Sequence, residues 1–171
     1  MISDHTGNVR YYSVQSEDLG KPTICLEVLT NSDGSEALRD ETGKEIGRLE
    51  DKICFSEQDL NEWTNFAQIP GGFSEYAAQI PSPEFWPIAV LVDLEIYPEF
   101  RKRGHGRAAL RQFLRGARTK GAKVALLRVG WYDDNPAGER AWRIAWYARE
   151  GFRELENKTP RVLIPFMYRL L

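Results

Sequence analysis

The spacing of apolar and polar positions in the first half of the chain predicts strands followed by helices. Residues 23–30 (TICLEVLT) are apolar and β-branched, and the turn residues 31–34 follow them, as is typical of a strand. A second turn at residues 40–43 precedes a run that ends at residues 50–55, which predicts a strand pair. Residues 56–59 (SEQD) form a capping-box pattern ahead of apolar residues at helical spacing. We therefore expect helices between Ser56 and Gln79, after the early strands.

The second half alternates between strands and helices. Residues 86–96 (WPIAVLVDLEI) form an apolar run that turns polar only at Asp93 and Glu95, which predicts a strand buried on both faces for most of its length. Helical spacing follows over residues 104–118, and residues 124–129 (VALLRV) predict another buried strand. A further helix is expected from Pro136 to a stop at Gly151, before two closing strands at residues 152–156 and 162–170. This order predicts an α/β or α+β fold with mixed strand pairing.

Length and composition favour one globular domain. A chain of 171 residues buries about 70% of its unfolded surface and is short for two domains. Its 42% hydrophobic and 28% charged residues are typical of soluble proteins, and no apolar run approaches the roughly 20 residues of a membrane span. The polar first residues lack the apolar core of a signal peptide. We expect a cytoplasmic protein that has no membrane partner.

Cys25 and Cys54 are the only cysteines, and both lie in strand-like apolar contexts. Two distant cysteines and two distant histidines supply too few ligands for a metal site, and they form no disulfide framework. We expect both cysteines to be small core residues and expect no bound metal.

Charge is distributed unevenly along the chain. Residues 1–100 carry 6 Lys or Arg and 19 Asp or Glu, whereas residues 101–123 carry 9 Lys or Arg and no acid. This basic segment begins with two glycines among cations at the start of the predicted helix. A helix N-terminus offers unpaired N–H groups and a positive dipole end, and glycine lets a ligand approach the backbone. Residues 101–107 (RKRGHGR) therefore predict a pyrophosphate-binding loop.

Other interpretations of this segment remain open. The P-loop pattern is absent, and residues 104–109 fit the dinucleotide pattern G-x-G-x-x-A, but seven residues separate it from its strand. The arginines at helical spacing from Arg107 to Arg118 are also typical of a solvated helix face. A nucleic-acid surface is disfavoured because the basic block is short and no nucleic-acid motif accompanies it. We expect no nucleic-acid partner.

The second half of the chain resembles the GNAT superfamily of N-acetyltransferases. Arg101, Gly104 and Gly106 fill the family's loop pattern [Q/R]-x-x-G-x-[G/A], and residues 146–152 (WYAREGF) resemble its Y-x-x-x-G-F signature. The resemblance covers residues 86–171. It implies one GNAT-like domain over residues 1–171, with an acceptor-side half (1–85) and an acetyl-CoA half (86–171). It also implies an α/β (α+β) fold whose mixed, mostly antiparallel sheet has about six to seven strands, with helices on both faces.

The resemblance further implies acetyl-CoA as the co-substrate, transfer to an amine within a ternary complex, and a homodimer. Where the family often has an asparagine seven residues before the tyrosine, this chain has Arg140, and Asn135 lies further upstream. By the resemblance, backbone of the strand end pairs with pantetheine and the loop holds pyrophosphate. The residues assigned to the cofactor are Leu94, Ile96, Arg101, Lys102, Arg103, Gly104, His105, Gly106, Arg107 and Asn135.

The chemistry needs a base and an acid. An alkyl ammonium with a pKa near 10.4 must lose a proton before it attacks, so Asp93 and Glu95 are the candidate bases, unless they only mark where the strand becomes polar. Tyr147 occupies the family's acid position, and its alternative is a packed aromatic residue beside Trp142 and Trp146. The helical pattern points His105 outward.

The acidic first hundred residues favour a cationic small-molecule or peptide amine as acceptor, such as a polyamine, an aminoglycoside or a basic peptide. The alternative function is a catalytically weak or inactive CoA-binding regulatory module of the same fold.

Overall fold

The structure, a computed structural model, describes residues 9–14, 24–30, 36–64, 66, 72–82, 84–130, 136–156 and 165–171. Its strands are β1 (Val9–Val14), β2 (Ile24–Thr30), β3 (Glu36–Arg39), β4 (Glu45–Cys54), β5 (Ile88–Ile96), β6 (Val124–Arg128), β7 (Arg153–Leu155) and β8 (Phe166–Leu170). Its helices are α1 (Glu57–Trp63), α2 (Ser74–Ala77), α3 (His105–Thr119) and α4 (Pro136–Arg149), and a short 3-10 turn covers Pro98–Phe100. Contacts divide the chain into unit 1 (Met1–Asp51 and Asp93–Gly116) and unit 2 (Lys52–Val92 and Ala117–Leu171).

Unit 1 contains an antiparallel meander. Its strand order is β1-β2-β3-β4-β5, and β1 to β4 pair antiparallel with their neighbours in sequence. The turn between β3 and β4 is organised by Asp40, whose Oδ1 accepts the backbone N–H of Thr42 at 2.9 Å and of Lys44 at 3.1 Å. Gly43 has φ 79°, a conformation that glycine adopts without strain. The turn sequence therefore sets the register of this hairpin.

Most of helix α3 also lies in unit 1. Apolar residues at helical spacing bury one face, with Leu110, Phe113 and Leu114 each no more than 3% exposed, whereas Arg115 and Arg118 are exposed. The amphipathic pattern that predicted this helix is confirmed, and the helix begins one residue later than expected.

Unit 2 contains the strand order β5-β6-β8-β7. Strands β5 and β6 pair in parallel from Ile88–Val124 to Leu91–Leu127, while β8 pairs antiparallel with both β6 and β7. A parallel neighbour requires a crossover, and α3 supplies that connection. The predicted mixed and mostly antiparallel fold is confirmed.

The core of unit 2 is an aromatic cluster around Phe66. Its ring centroid lies 4.0 Å from that of Phe166, 5.1 Å from that of Phe73 and 5.2 Å from that of Tyr76. All four rings are no more than 2% exposed. Burial of such large rings is the main stabilising contribution that a cluster of this kind makes.

Several elements differ in extent from the expectations. Strand β1 was not predicted, and the described residues form eight strands where six to seven were expected. The capping box is confirmed, since Ser56 Oγ accepts the Asp59 N–H at 3.1 Å, but α1 ends at Trp63. Cys54 is fully buried, as predicted, and burial raises its thiol pKa to about 11. The division into acceptor and cofactor halves remains a prediction.

Among the described residues, no helix is both long and apolar enough to cross a bilayer. In the same part of the chain, no three His, Cys, Asp or Glu side chains are grouped as ligands for a metal ion.

Candidate active site

The end of strand β5 places the two candidate bases together in unit 1. Asp93 and Glu95 are two residues apart, so their side chains project from the same face of the strand. Arg48 of β4 joins them, because its Nε lies 3.0 Å from Asp93 Oδ2 and 3.1 Å from Glu95 Oε2. The three side chains are 57%, 23% and 36% exposed in the order Arg48, Asp93, Glu95, so the cluster meets solvent. Arg48 was not identified from the sequence.

A glycine allows β4 to lie this close to β5. A Cβ added at Gly47 would stand 2.1 Å from the carbonyl oxygen of Glu95. Next to this contact, the Tyr97 N–H donates to the Ile46 carbonyl at 2.9 Å, and the Tyr97 hydroxyl donates to Glu45 Oε1 at 2.6 Å. The bond to Glu45 raises the pKa of Tyr97. Gly47 therefore brings Arg48 within reach of Asp93.

Leu94 and Ile96 lie beyond the parallel ladder, which ends at the pair Leu91–Leu127. Both side chains are half-buried. The carbonyl of Ile96 accepts a hydrogen bond from Arg101 Nε at 2.8 Å. The arginine of the loop motif thus fastens the loop to the end of the strand.

The loop that follows has the geometry of an anion site. Lys102 has φ 62° and Gly104 has φ 90°, so the backbone twice enters the left-handed region before the helix. The Gly104 carbonyl accepts the Ala108 N–H at 3.1 Å, which makes Gly104 the residue that precedes α3. The first turn of an α-helix presents backbone N–H groups that have no acceptor within the helix itself.

The donor chemistry of the loop fits a pyrophosphate. Residues 101–104 are exposed and carry three cations, and no acid occurs between residues 101 and 123. Cations and backbone N–H groups are the groups that bind phosphate oxygens.

His105 differs from its expected orientation. Its side chain is half-buried rather than outward, and its Nδ1 is buried without a hydrogen-bond partner among the described residues. Burial, with a further contribution from Arg103, lowers the pKa of His105, while Asp40 opposes the shift. The imidazole is therefore neutral near pH 7. His105 is the first residue of α3.

Tyr147 lies in unit 2, near the end of α4. Its ring packs 4.8 Å from Trp146 and 5.8 Å from Phe152, and its carbonyl accepts the N–H groups of Glu150 and Phe152. Gly151 has φ 85° and ends the helix, as predicted. The Y-x-x-x-G-F signature thus encodes a helix end on which Phe152 folds back. Asn135 lies outside the described residues.

Comparison with solved structures supports the fold, although no family model and no curated protein sequence matches the chain. A GNAT-family acetyltransferase from Listeria monocytogenes 4b F2365 has a TM-score of 0.50 and 12% identity over 80% of this chain and 64% of that chain. Arylalkylamine N-acetyltransferase 2 from Aedes aegypti has a TM-score of 0.50 and 15% identity over 82% of this chain and 75% of that chain. The chain therefore has the fold of the GNAT acetyltransferases.

Proposed function

We propose that the protein is an N-acetyltransferase that moves the acetyl group of acetyl-CoA onto a primary amine. The observation that carries the proposal is the loop of unit 1, where Gly104, with φ 90°, directly precedes α3 and follows exposed cations. The GNAT fold gives this loop its context, because the family binds the pyrophosphate of its co-substrate there.

The residues proposed to bind the co-substrate run from the end of β5 into the loop that follows it. Backbone at Leu94 and Ile96 would align the pantetheine arm, as an added strand does. Backbone N–H groups from Arg101 to Arg107 would hold the pyrophosphate, and the side chains of Arg101 and Lys102 would add positive charge beside it. The Arg101 bond to the Ile96 carbonyl supports this by linking the two parts of the site.

Acetyl-CoA supplies an acetyl thioester when it is bound. We assign proton removal from the acceptor ammonium to Asp93 or Glu95, so that the free amine forms the C–N bond as the C–S bond breaks. Tyr147 would give a proton to the departing thiolate sulfur and regain one from the nitrogen, which loses its second proton as the amide forms, so the net release is the one proton that the base removed. The half-buried position of Tyr147 among aromatic rings is compatible with this role.

The acceptor class we propose is a cationic amine. The charge count over residues 1–100 supports it, since acids outnumber basic residues by 19 to 6. Such an excess attracts polyamines, aminoglycosides or basic peptides by steering, so their binding should weaken as salt is added.

Thermal shift with acetyl-CoA, CoA, NADH and short DNA tests the co-substrate directly. At 100 times its dissociation constant a ligand adds about 2.7 kcal/mol to stability, which raises the melting temperature of a chain of this length by several degrees. We expect a shift with acetyl-CoA and CoA alone. The absence of a shift with either CoA species would overturn the acetyltransferase proposal.

A CoA-binding module without turnover is the second candidate, and it is favoured by Arg140, which stands where the family often has an asparagine that contacts the cofactor. Tyr147→Phe separates the two candidates. In an enzyme it should lower kcat by about 10²-fold while the Kd for CoA changes less than twofold. Wild-type protein that binds acetyl-CoA and acetylates no amine in a broad screen would favour the module.

A further inference from the structure

Two cations from separate parts of unit 1 lie near the ring of Phe100, the residue directly before the loop. Lys44 Nζ lies 4.7 Å from the ring centroid and the Arg103 guanidinium carbon lies 5.9 Å from it. Phe100 itself is only 7% exposed, so the ring is a fixed platform. Cation–π attraction keeps such charges in place at modest cost. Lys44 belongs to the β3–β4 turn, so this turn adds a positive charge beside the loop.

Two acids, Asp40 and Glu41, lie in this turn, and Asp40 is already engaged in hydrogen bonds. Asp40 Oδ1 accepts hydrogen bonds from the Thr42 hydroxyl at 2.6 Å and from the backbone N–H groups of Thr42 and Lys44. The Thr42 hydroxyl bond, the largest cause, lowers the pKa of Asp40. Within the part of the chain that the structure describes, no carboxylate forms a salt bridge with Lys44 or Arg103.

The turn and the helix start share one region of unit 1, which we call the cofactor corner (residues 40–44 and 98–107). His105, the first residue of α3, interacts electrostatically with both Asp40 and Arg103. The two cations on Phe100 therefore lie beside the amides proposed to hold pyrophosphate, and they are separate from those amides.

We propose that Lys44 and Arg103 bind the 3′-phosphate of coenzyme A, so that the β3–β4 turn selects CoA over dephospho-CoA. This inference rests on the proposed function. The ribose of CoA carries its pyrophosphate on the 5′ oxygen and its phosphate monoester on the 3′ oxygen, so the two groups lie on the same side of one nucleoside and can reach adjoining parts of one corner. A phosphate monoester carries nearly two negative charges at pH 7, and a flexible lysine with a nearby guanidinium matches it.

Calorimetric titration of the full chain with CoA and with dephospho-CoA tests the assignment. Lys44→Gln should weaken CoA binding about tenfold, the loss of one charge-assisted hydrogen bond, and should change dephospho-CoA binding less than twofold. Arg103→Gln should act in the same direction. Lys44→Arg should keep the preference for CoA, and Lys123→Gln, an exposed lysine of unit 2, should leave both affinities unchanged.

The outcomes separate this inference from the proposed function. Wild-type protein that binds neither ligand would overturn both. Wild-type protein that binds the two ligands equally, or a Lys44→Gln variant that keeps the full preference for CoA, would overturn the 3′-phosphate assignment alone. If Lys44→Gln weakened the binding of both ligands equally, the assignment would also be overturned, because Lys44 would then attract any anionic ligand without recognising the 3′-phosphate. Unchanged melting temperatures would establish that each variant is folded.

Discussion

The cofactor corner of unit 1 and the aromatic core of unit 2 are held together by different forces. In the core, Phe66 and its neighbouring rings are almost fully buried, and burial of apolar surface stabilises them without regard to direction. In the corner, exposed cations and a hydrogen-bonded turn each contribute little to stability. Substitutions in the core should therefore change the free energy of unfolding, whereas substitutions in the corner should change ligand affinity.

The largest expected loss of stability comes from a substitution in the aromatic core of unit 2. Phe66→Ala removes a ring that contacts three other buried rings, and a large-to-small change of this kind costs about 3–5 kcal/mol. Urea denaturation measures the loss. Phe55→Ala is the matched control, because Phe55 is 68% exposed and should change stability by less than about 0.5 kcal/mol. Similar losses in the two variants would contradict the assignment of the core.

The next largest loss of stability is expected in unit 1, which depends on one close backbone contact between β4 and β5. Gly47→Ala places a methyl group where the Glu95 carbonyl lies, and such overpacking costs about 1–3 kcal/mol. Gly116→Ala should have the opposite sign, stabilising α3 by about 1 kcal/mol, because nothing lies within 4 Å of the added Cβ. Thermal or urea unfolding compares them, and a tolerated Gly47→Ala would argue against the close approach of β4 and β5.

Local signals predicted the parts of the fold that depend on neighbours in sequence. The amphipathic period identified α3, the serine cap identified the start of α1, and Gly151 identified the end of α4. The polar end of β5 likewise indicated Asp93 and Glu95 as candidate bases, and that role remains a prediction. Strand β1 was not predicted, because polar and acidic residues flank its six residues on both sides.

Strand neighbours could not be predicted in the same way. Arg48 meets Asp93 only because β4 lies beside β5, and apolar periodicity says nothing about which strands are adjacent. Lys44 meets Phe100 for the same kind of reason, since the turn and the loop are distant in sequence. At Gly47 the sequence offers one sign of a close backbone approach, which is an isolated glycine within a strand pattern.

The smallest expected change in stability comes from a substitution in unit 1 that should affect catalysis more than folding. Arg48→Gln removes both ion pairs at the end of β5, yet Arg48 is 57% exposed, so unfolding should change by less than about 1 kcal/mol. Catalysis should respond more, because the guanidinium holds both candidate bases in place: kcat should fall while the KM for acetyl-CoA stays within twofold. Arg118→Gln, an exposed arginine of α3, is the control for loss of one charge. A loss of more than 2 kcal/mol, or a rise in KM with kcat unchanged, would show that Arg48 supports the strand or the cofactor instead of the bases.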